Sequence, residues 1–207
     1  MSRVAIIGGG PAGLMAAEQL ATLDGVNVDI FDAMPSVGRK FLIAGKGGMN
    51  ITHSEPLAAF TTRYGQRAAQ IAPLLAAFGP DELRQWIAGL GIATFVGTSG
   101  RVFPTDMKAA PLLRAWLLRL RSAGVRFHVR HRWLGWRDDG RLRFATPEGE
   151  GVIQADQVIL ALGGASWARL GSDGAWVPLL SERKVAVSPL RPSNCGFDVA
   201  WSCQQRM

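Results

Sequence analysis

The hydrophobic pattern opens on a short unbroken apolar run, Val4-Ala5-Ile6-Ile7, that ends in glycine. A run without polar alternation belongs to a strand buried on both faces, so it predicts a central strand of a parallel sheet. The period then changes, and Leu14-Met15-Ala16-Ala17-Glu18-Gln19-Leu20-Ala21 reads as helix. Val26-Asn27-Val28-Asp29-Ile30-Phe31 predicts a second strand. Residues 73–91 read as helical with a break at Gly79-Pro80, the second part placing Leu83, Trp86, Ile87 and Leu90 on one face. Residues 92–96 and Arg101–Pro104 predict a hairpin across Gly97-Thr98-Ser99-Gly100. A helix entered at Met107-Lys108 turns Leu112, Leu113, Trp116, Leu117 and Leu120 inward and closes at Gly124, with Arg114, Arg119 and Arg121 expected on its solvated face. Residues 125–129 read as a strand. A meander runs from Trp133 through Asp138-Asp139-Gly140 to the turn Pro147-Glu148-Gly149, and residues 155–162 predict one more buried strand. Strands alternating with helices place the chain in the α/β class.

The turn between the first strand and the first helix is Gly8-Gly9-Gly10-Pro11-Ala12-Gly13. In this GxGxxG spacing Gly8 permits the tight turn, Gly10 lets the backbone approach a pyrophosphate, and Gly13 lets helix and strand close up. The helix beginning near Pro11 and Ala12 directs its free N–H groups and positive dipole end at the phosphates. Ala17 keeps its packing face small. Asp32, with Ala33 after it, ends the second strand at the distance from the glycines where an acid takes the ribose hydroxyls. A carboxylate there repels a 2′-phosphate, so the pattern predicts FAD or NAD rather than NADP.

A second glycine-rich loop carrying cations follows Asp32: Gly38-Arg39-Lys40, then Gly45-Lys46-Gly47-Gly48, then Asn50. FAD is longer than NAD and its flavin end needs a further cradle, so backbone donors and positive charge at these positions point to FAD.

Composition narrows the setting. With 207 residues, 48% hydrophobic and 19% charged, the chain suits one large domain with an appendage. No apolar run approaches the roughly 18 residues that span a bilayer, and the N-terminal apolar stretch is too short for a secretion signal, so a cytoplasmic protein with no membrane partner is expected. Cys195 and Cys203 form neither a disulfide framework nor a CxxC pair, which fits a reducing compartment. His128 and His131 are expected on opposite faces of a strand, and no metal site is expected. The net charge of +7 comes from scattered arginines without interleaved aromatics, so a solvated basic surface is expected and no nucleic-acid partner.

The stretches GGGPAG and DAMPSVGRKFLIAGKGGMNITHSEP resemble the BaiN/YhiN-like flavoproteins, also called the aminoacetone oxidase family of FAD-binding enzymes, in a subgroup with a GKGG loop. Many members carry Arg-Cys where this chain has Gly48-Met49, while Asn50 is kept; chemistry that rests on that arginine or cysteine is not expected here. The resemblance implies a Rossmann-like FAD-binding fold, a parallel sheet with helices and an antiparallel β-meander appendage. It implies that GRVFP borders the substrate side and that the Trp133 backbone contacts adenine. It also implies that Ala161-Leu162-Gly163-Gly164 is the segment by which the chain re-enters the FAD sheet. Residues 1–187 then form the FAD-binding domain and 188–207 begin a substrate domain. Because the family runs to about twice this length, the chain reads as truncated.

The expected activity is that of an FAD-dependent oxidoreductase, moving a hydride between flavin and a small organic substrate, with NAD(P)H a candidate electron donor. No Ser/His/Asp, metal or redox-cysteine arrangement competes with the cofactor as the reactive group. Lys46 and Asn50 are the polar side chains placed nearest the ring, and neither is assigned as a general base. An NAD-binding dehydrogenase and a truncated, non-catalytic flavin-binding module remain the alternatives. Oligomeric state is not legible.

Overall fold

Val4, Ala5, Ile6 and Ile7 are each at most 4% exposed, because the strand they form has a parallel neighbour on both edges and packed side chains on both faces. The structure is a computed structural model and describes residues 1–44 and 47–191. Along the chain, β1 (Ser2–Ile7), α1 (Pro11–Leu20) and β2 (Val26–Asp32) make the first βαβ unit. There follow α2 (Arg39–Ala44), the short strand β3 (Thr52–His53), and helices α3 (Leu57–Thr62), α4 (Ala68–Ala77) and α5 (Pro80–Ala88). Strands β4 (Thr94–Val96) and β5 (Arg101–Pro104) precede the long helix α6 (Ala109–Ser122). Then come β6 (Arg126–Val129), β7 (Arg132–Trp136), β8 (Leu142–Thr146), β9 (Gly149–Ile153), β10 (Gln157–Leu160) and α7 (Trp176–Glu182).

The main sheet is parallel, in the order β10-β1-β2-β6. Successive residues of a strand face opposite sides. Val4, Ile6, Val28 and Ile30 therefore share one face, where Leu14 and Ala17 of α1 and Leu113, Trp116 and Leu120 of α6 complete the core. On the other face Phe31 stacks on Phe144 of β8, ring centroids 4.6 Å apart, which fastens the antiparallel β7-β8-β9 meander to the sheet. A small third sheet, β3-β5-β4, contains the expected hairpin and adds β3 to it.

Several expectations need correction. Strand β10 is half-buried rather than buried, because it forms the sheet edge and only β1 pairs with it among the described residues. The helix expected to start at Pro73 starts at Ala68, with Pro73 inside it. The alanine-rich sequence sustains the helix despite the hydrogen bond that proline removes. Arg119 does not lie on a solvated face: its guanidinium donates to the Glu18 carboxylate at 2.9 Å and to the Gly89 carbonyl. Glu18 also accepts the indole N–H groups of Trp86 and Trp116, so one carboxylate ties α1 to α5 and α6. Arg121 sits over the Phe127 ring at 5.2 Å. His128 and His131 are not on opposite faces. Arg130 takes a left-handed backbone (φ 58°) just past β6, which swings His131 back to within 5.6 Å of His128.

The chain divides into two compact units, Met1–Leu162 and Gly163–Met207. In the described part of the second unit, Trp167 and Ser172 form an antiparallel bridge around a 3-10 turn, and α7 follows. Cys195 and Cys203 lie outside the described residues.

Asp29, in the middle of β2, is fully buried and accepts hydrogen bonds from Arg3 (2.8 Å), from Arg126 (2.8 Å, two nitrogens) and from His128 (2.7 Å). Burial alone would push its carboxyl up; the bonds from Arg126, His128 and Arg3 outweigh it and hold the carboxyl at about 2. Its folded value lies below the ordinary 3.8, so the stabilisation is complete above that value and disappears as pH falls through the folded one. The shift corresponds to about 2 kcal/mol. Urea unfolding of the wild type and of Asp29→Asn, compared between pH 5 and pH 2, should show the wild type losing about 2 kcal/mol more; parallel pH profiles would exclude the network as the cause.

Candidate functional site

The turn from β1 into α1 is held by close backbone approaches that leave no room for side chains. Gly8 has φ 110°, its amide donates to the Phe31 carbonyl at 2.8 Å, and a Cβ on it would lie 2.3 Å from the Ala161 carbonyl oxygen. A Cβ on Gly13 would lie 1.9 Å from the Gly8 carbonyl oxygen, so its lack of a side chain lets the helix come down onto the strand. Gly10 differs: a Cβ there would meet nothing within 4 Å, and its φ of −79° suits any residue. No internal packing explains a glycine at this position. It keeps the space in front of the helix open, as backbone approach of a ligand requires.

Gly10 is the N-cap of α1, Pro11 occupies the first turn, and no side chain caps the helix. The amides of Ala12 and Gly13 have no acceptor within the helix by its geometry, so they and the helix dipole offer donors and positive potential to an anion. The helix α1 that carries them is ten residues long.

Asp32 ends β2 beside this opening. One carboxylate oxygen accepts the Gly9 amide and the other the Met34 amide, both at 2.8 Å. Burial pushes the carboxyl up, while the Met34 and Gly9 amides and the nearby Arg39 charge pull it back. Each oxygen keeps a further lone pair, which can accept a ribose hydroxyl. The Gly38 amide donates to the Gly9 carbonyl at 2.8 Å, bringing the start of the second loop against the first. Arg39, at the start of α2, has a buried Nε with no hydrogen-bond partner among the described residues, while Nη1 reaches Ser36 Oγ at 3.4 Å. A buried guanidinium donor left open beside a carboxylate and an uncapped helix fits an absent anionic ligand. Taken together, the open space at Gly10, the donors and the acid suit a dinucleotide.

The structure thus gathers Gly8, Gly10, Pro11, Ala12, Gly13, Asp32, Ala33, Gly38, Arg39 and Ala161 around one turn. Lys40 lies in the first turn of α2 and Leu162 just past β10. Gly47, Gly48 and Asn50 lie between α2 and β3 and are anchored elsewhere: Met49 N–H donates to the Met107 carbonyl and Ile51 N–H to the Val102 carbonyl. Gly45 and Lys46 are outside the described residues, and Gly163 and Gly164 belong to the second unit. Trp133 is buried on β7 against Trp136, at 4.7 Å between ring centroids, and its indole nitrogen has no partner among the described residues.

Three contributors are not marked in the sequence reading. Gly9 is as crowded as Gly8, since a Cβ there would lie 2.4 Å from Val37 Cγ1 and 2.9 Å from Asp32 Oδ2. The unbroken GGG triplet was its signal. Val37 fills the space that Gly9 leaves. The segment after β6 crosses the end of β2, with Arg130 N–H donating to the Met34 carbonyl and His131 N–H to the Asp32 carbonyl, both at 2.9 Å. No motif announces that crossing. Among the described residues no group of three or more His, Cys, Asp or Glu is placed to hold a metal, and no helix is long and apolar enough to cross a membrane.

Gly13→Ala and Gly10→Ala should separate structural from ligand-directed glycines. The first forces a side chain into backbone and should cost about 3 kcal/mol in urea unfolding followed by tryptophan fluorescence. The second should stay within about 1 kcal/mol of wild type. Equal losses would contradict this division of roles.

Comparison with known proteins agrees with this geometry. The chain is 30% identical over 194 residues to the 3-dehydro-bile acid delta(4,6)-reductase of Clostridium scindens, covering 93% of this chain and 46% of that protein. It is 28% identical over 195 residues to the ribosomal RNA dihydrouridine synthase of Haemophilus influenzae, covering 93% of this chain and 48% of that one. The chain therefore spans about half the length of these relatives. Among solved structures, the 3-ketosteroid-delta4-(5alpha)-dehydrogenase of Rhodococcus jostii RHA1 superposes with a TM-score of 0.56 at 15% identity, over 79% of this chain and 46% of that one. THI4 of Thermovibrio ammonificans superposes with a TM-score of 0.51 at 20% identity, over 84% and 62%. At such identities these two likenesses speak for the fold alone. Residues 2–200 match the Rossmann domain of HI0933-like proteins, and the chain belongs to that family, as its resemblance to the BaiN/YhiN-like proteins implied.

Proposed function

We propose that this chain is the FAD-holding part of an FAD-dependent oxidoreductase that moves a hydride between the flavin and a small organic substrate. The observation that carries the reading is the open, uncapped N-terminus of α1 at Gly10, with Asp32 at the neighbouring strand end. The Ala12 and Gly13 amides would take the pyrophosphate, Asp32 a ribose hydroxyl, and Arg39 the remaining negative charge. The second glycine loop, with Gly47, Gly48 and Asn50, would serve the flavin end. FAD, when bound, supplies the hydride chemistry; the protein supplies position and electrostatics. A small organic substrate is supported by the name of the bile acid reductase relative. NAD(P)H is the proposed electron donor.

Purified chain should be yellow with the absorption bands of oxidised flavin, and anaerobic NADH or NADPH should bleach it. A colourless protein that retains NAD would favour a dehydrogenase instead, and a yellow protein that no donor bleaches would favour a non-catalytic flavin module. Gly10→Ala should weaken FAD binding about tenfold or more in a fluorescence titration while its unfolding midpoint stays near wild type.

A second substrate class is favoured by the net charge of +7 together with the RNA-acting name of the Haemophilus relative. Retention on a ribosomal RNA fragment that falls steeply with salt would support RNA as substrate, and a slope near zero would exclude it.

A further inference from the structure

We infer that Met107 is a peroxide-oxidised modification site, and that its side chain latches the second glycine loop. Met107 is a non-glycine residue with φ 60°, a conformation that costs free energy unless the surroundings hold it. Two backbone bonds do so. Its amide donates to the Pro104 carbonyl and its carbonyl accepts the Met49 amide, both at 2.9 Å, which joins the end of the β4-β5 hairpin to the loop at residues 47–50. The side chain completes the joint. A Cβ on Gly48, itself at φ 118°, would lie 2.7 Å from Met107 Cε and 3.9 Å from the Phe103 ring, so the thioether methyl occupies the space glycine leaves.

Met107 is also 37% exposed, whereas Met49, its neighbour across the joint, is 8% exposed. A polarizable thioether on a partly exposed residue whose methyl end seals a loop by apolar contact is chemically vulnerable. The oxidant is hydrogen peroxide, a two-electron oxidant that reaches the thioether from solution, so neither the site nor the step rests on the proposed function. The Met107 Sδ lone pair attacks one peroxide oxygen, an S–O bond forms and the O–O bond breaks. The sulfur is oxidised to the sulfoxide as the departing hydroxide takes the proton of the sulfur-bound hydroxyl, and the peroxide is thereby reduced to water. A sulfoxide oxygen seeks water and is poorly accommodated against the Gly48 backbone. The loop opens at the Met49–Met107 hydrogen bond, and sulfoxide reduction restores it.

Titrating the wild-type protein with hydrogen peroxide and mapping sulfoxides by peptide mass spectrometry tests the site. Met107 should reach half oxidation at about a tenth of the dose that Met49 needs, with the fully exposed Met1 as the internal reference. Hydrogen exchange of the Met49 amide should become about tenfold faster on oxidation, while Met107→Leu keeps its protection before and after peroxide. Oxidation of Met107 no earlier than Met49, an unchanged exchange rate after it is oxidised, or the same acceleration in Met107→Leu would overturn the inference. Neither readout needs bound flavin, so a colourless protein would count against the proposed function without deciding this one.

Discussion

The descent of α1 onto β1 at Gly13 and Gly8 is the constraint on which the rest of the first unit depends. A carbonyl oxygen stands where the Gly13 side chain would be, and the Ala161 carbonyl stands where that of Gly8 would be. With the helix seated so low, Leu14 and Ala17 reach the core that α6 shares, and Glu18 reaches both tryptophan indoles and Arg119. The same seating puts the free amides of the helix beside Asp32. Packing and ligand geometry are one requirement here, met by removing side chains.

Much of this was legible because the first βαβ unit is local in sequence. Gly8, Gly10, Gly13 and Asp32 carry their roles in their spacing, and the alternation of strand and helix periods gave the sheet its parallel character. Helix α6 was legible for a similar reason: Leu112, Leu113, Trp116 and Leu120 form a complete apolar stripe, and all four are buried. Helix α3 was not, and α4 only from Pro73 onward, because neither buries a residue fully and so neither has a stripe to read. What the pattern could not give were pairings set by the fold. Asp29 looks like a polar interruption in an apolar strand until β1 and β6 bring Arg3, Arg126 and His128 to it. Arg119 looks solvated until α1 and α5 supply its acceptors.

The two glycine loops differ in how they are built. The first is fixed by its own βαβ unit and by Gly38, a short distance along the chain. The second borrows its anchorage from the β3-β5-β4 sheet through Met107 and Val102. A dinucleotide reaching from one to the other, as proposed, would therefore be held by two structural modules, the first resting on a buried core and the second on a small sheet with exposed aromatic residues such as Phe95.

The pairing of β10 with β1 has a consequence for how the molecule comes into being. The Arg3 amide meets the Asp156 carboxylate across 153 residues, and Ala161 closes the back of the Gly8 turn. The glycine turn after β1 is thus synthesised well before the residues that complete it. Its wall arrives only when the final strand of the unit is made, after a loop closure whose entropy is large and which slows folding. Until then the chain exposes the β1 edge and an unfinished turn, so the interval between synthesis of residue 7 and residue 161 is when the nascent protein is most open to wrong strand pairing.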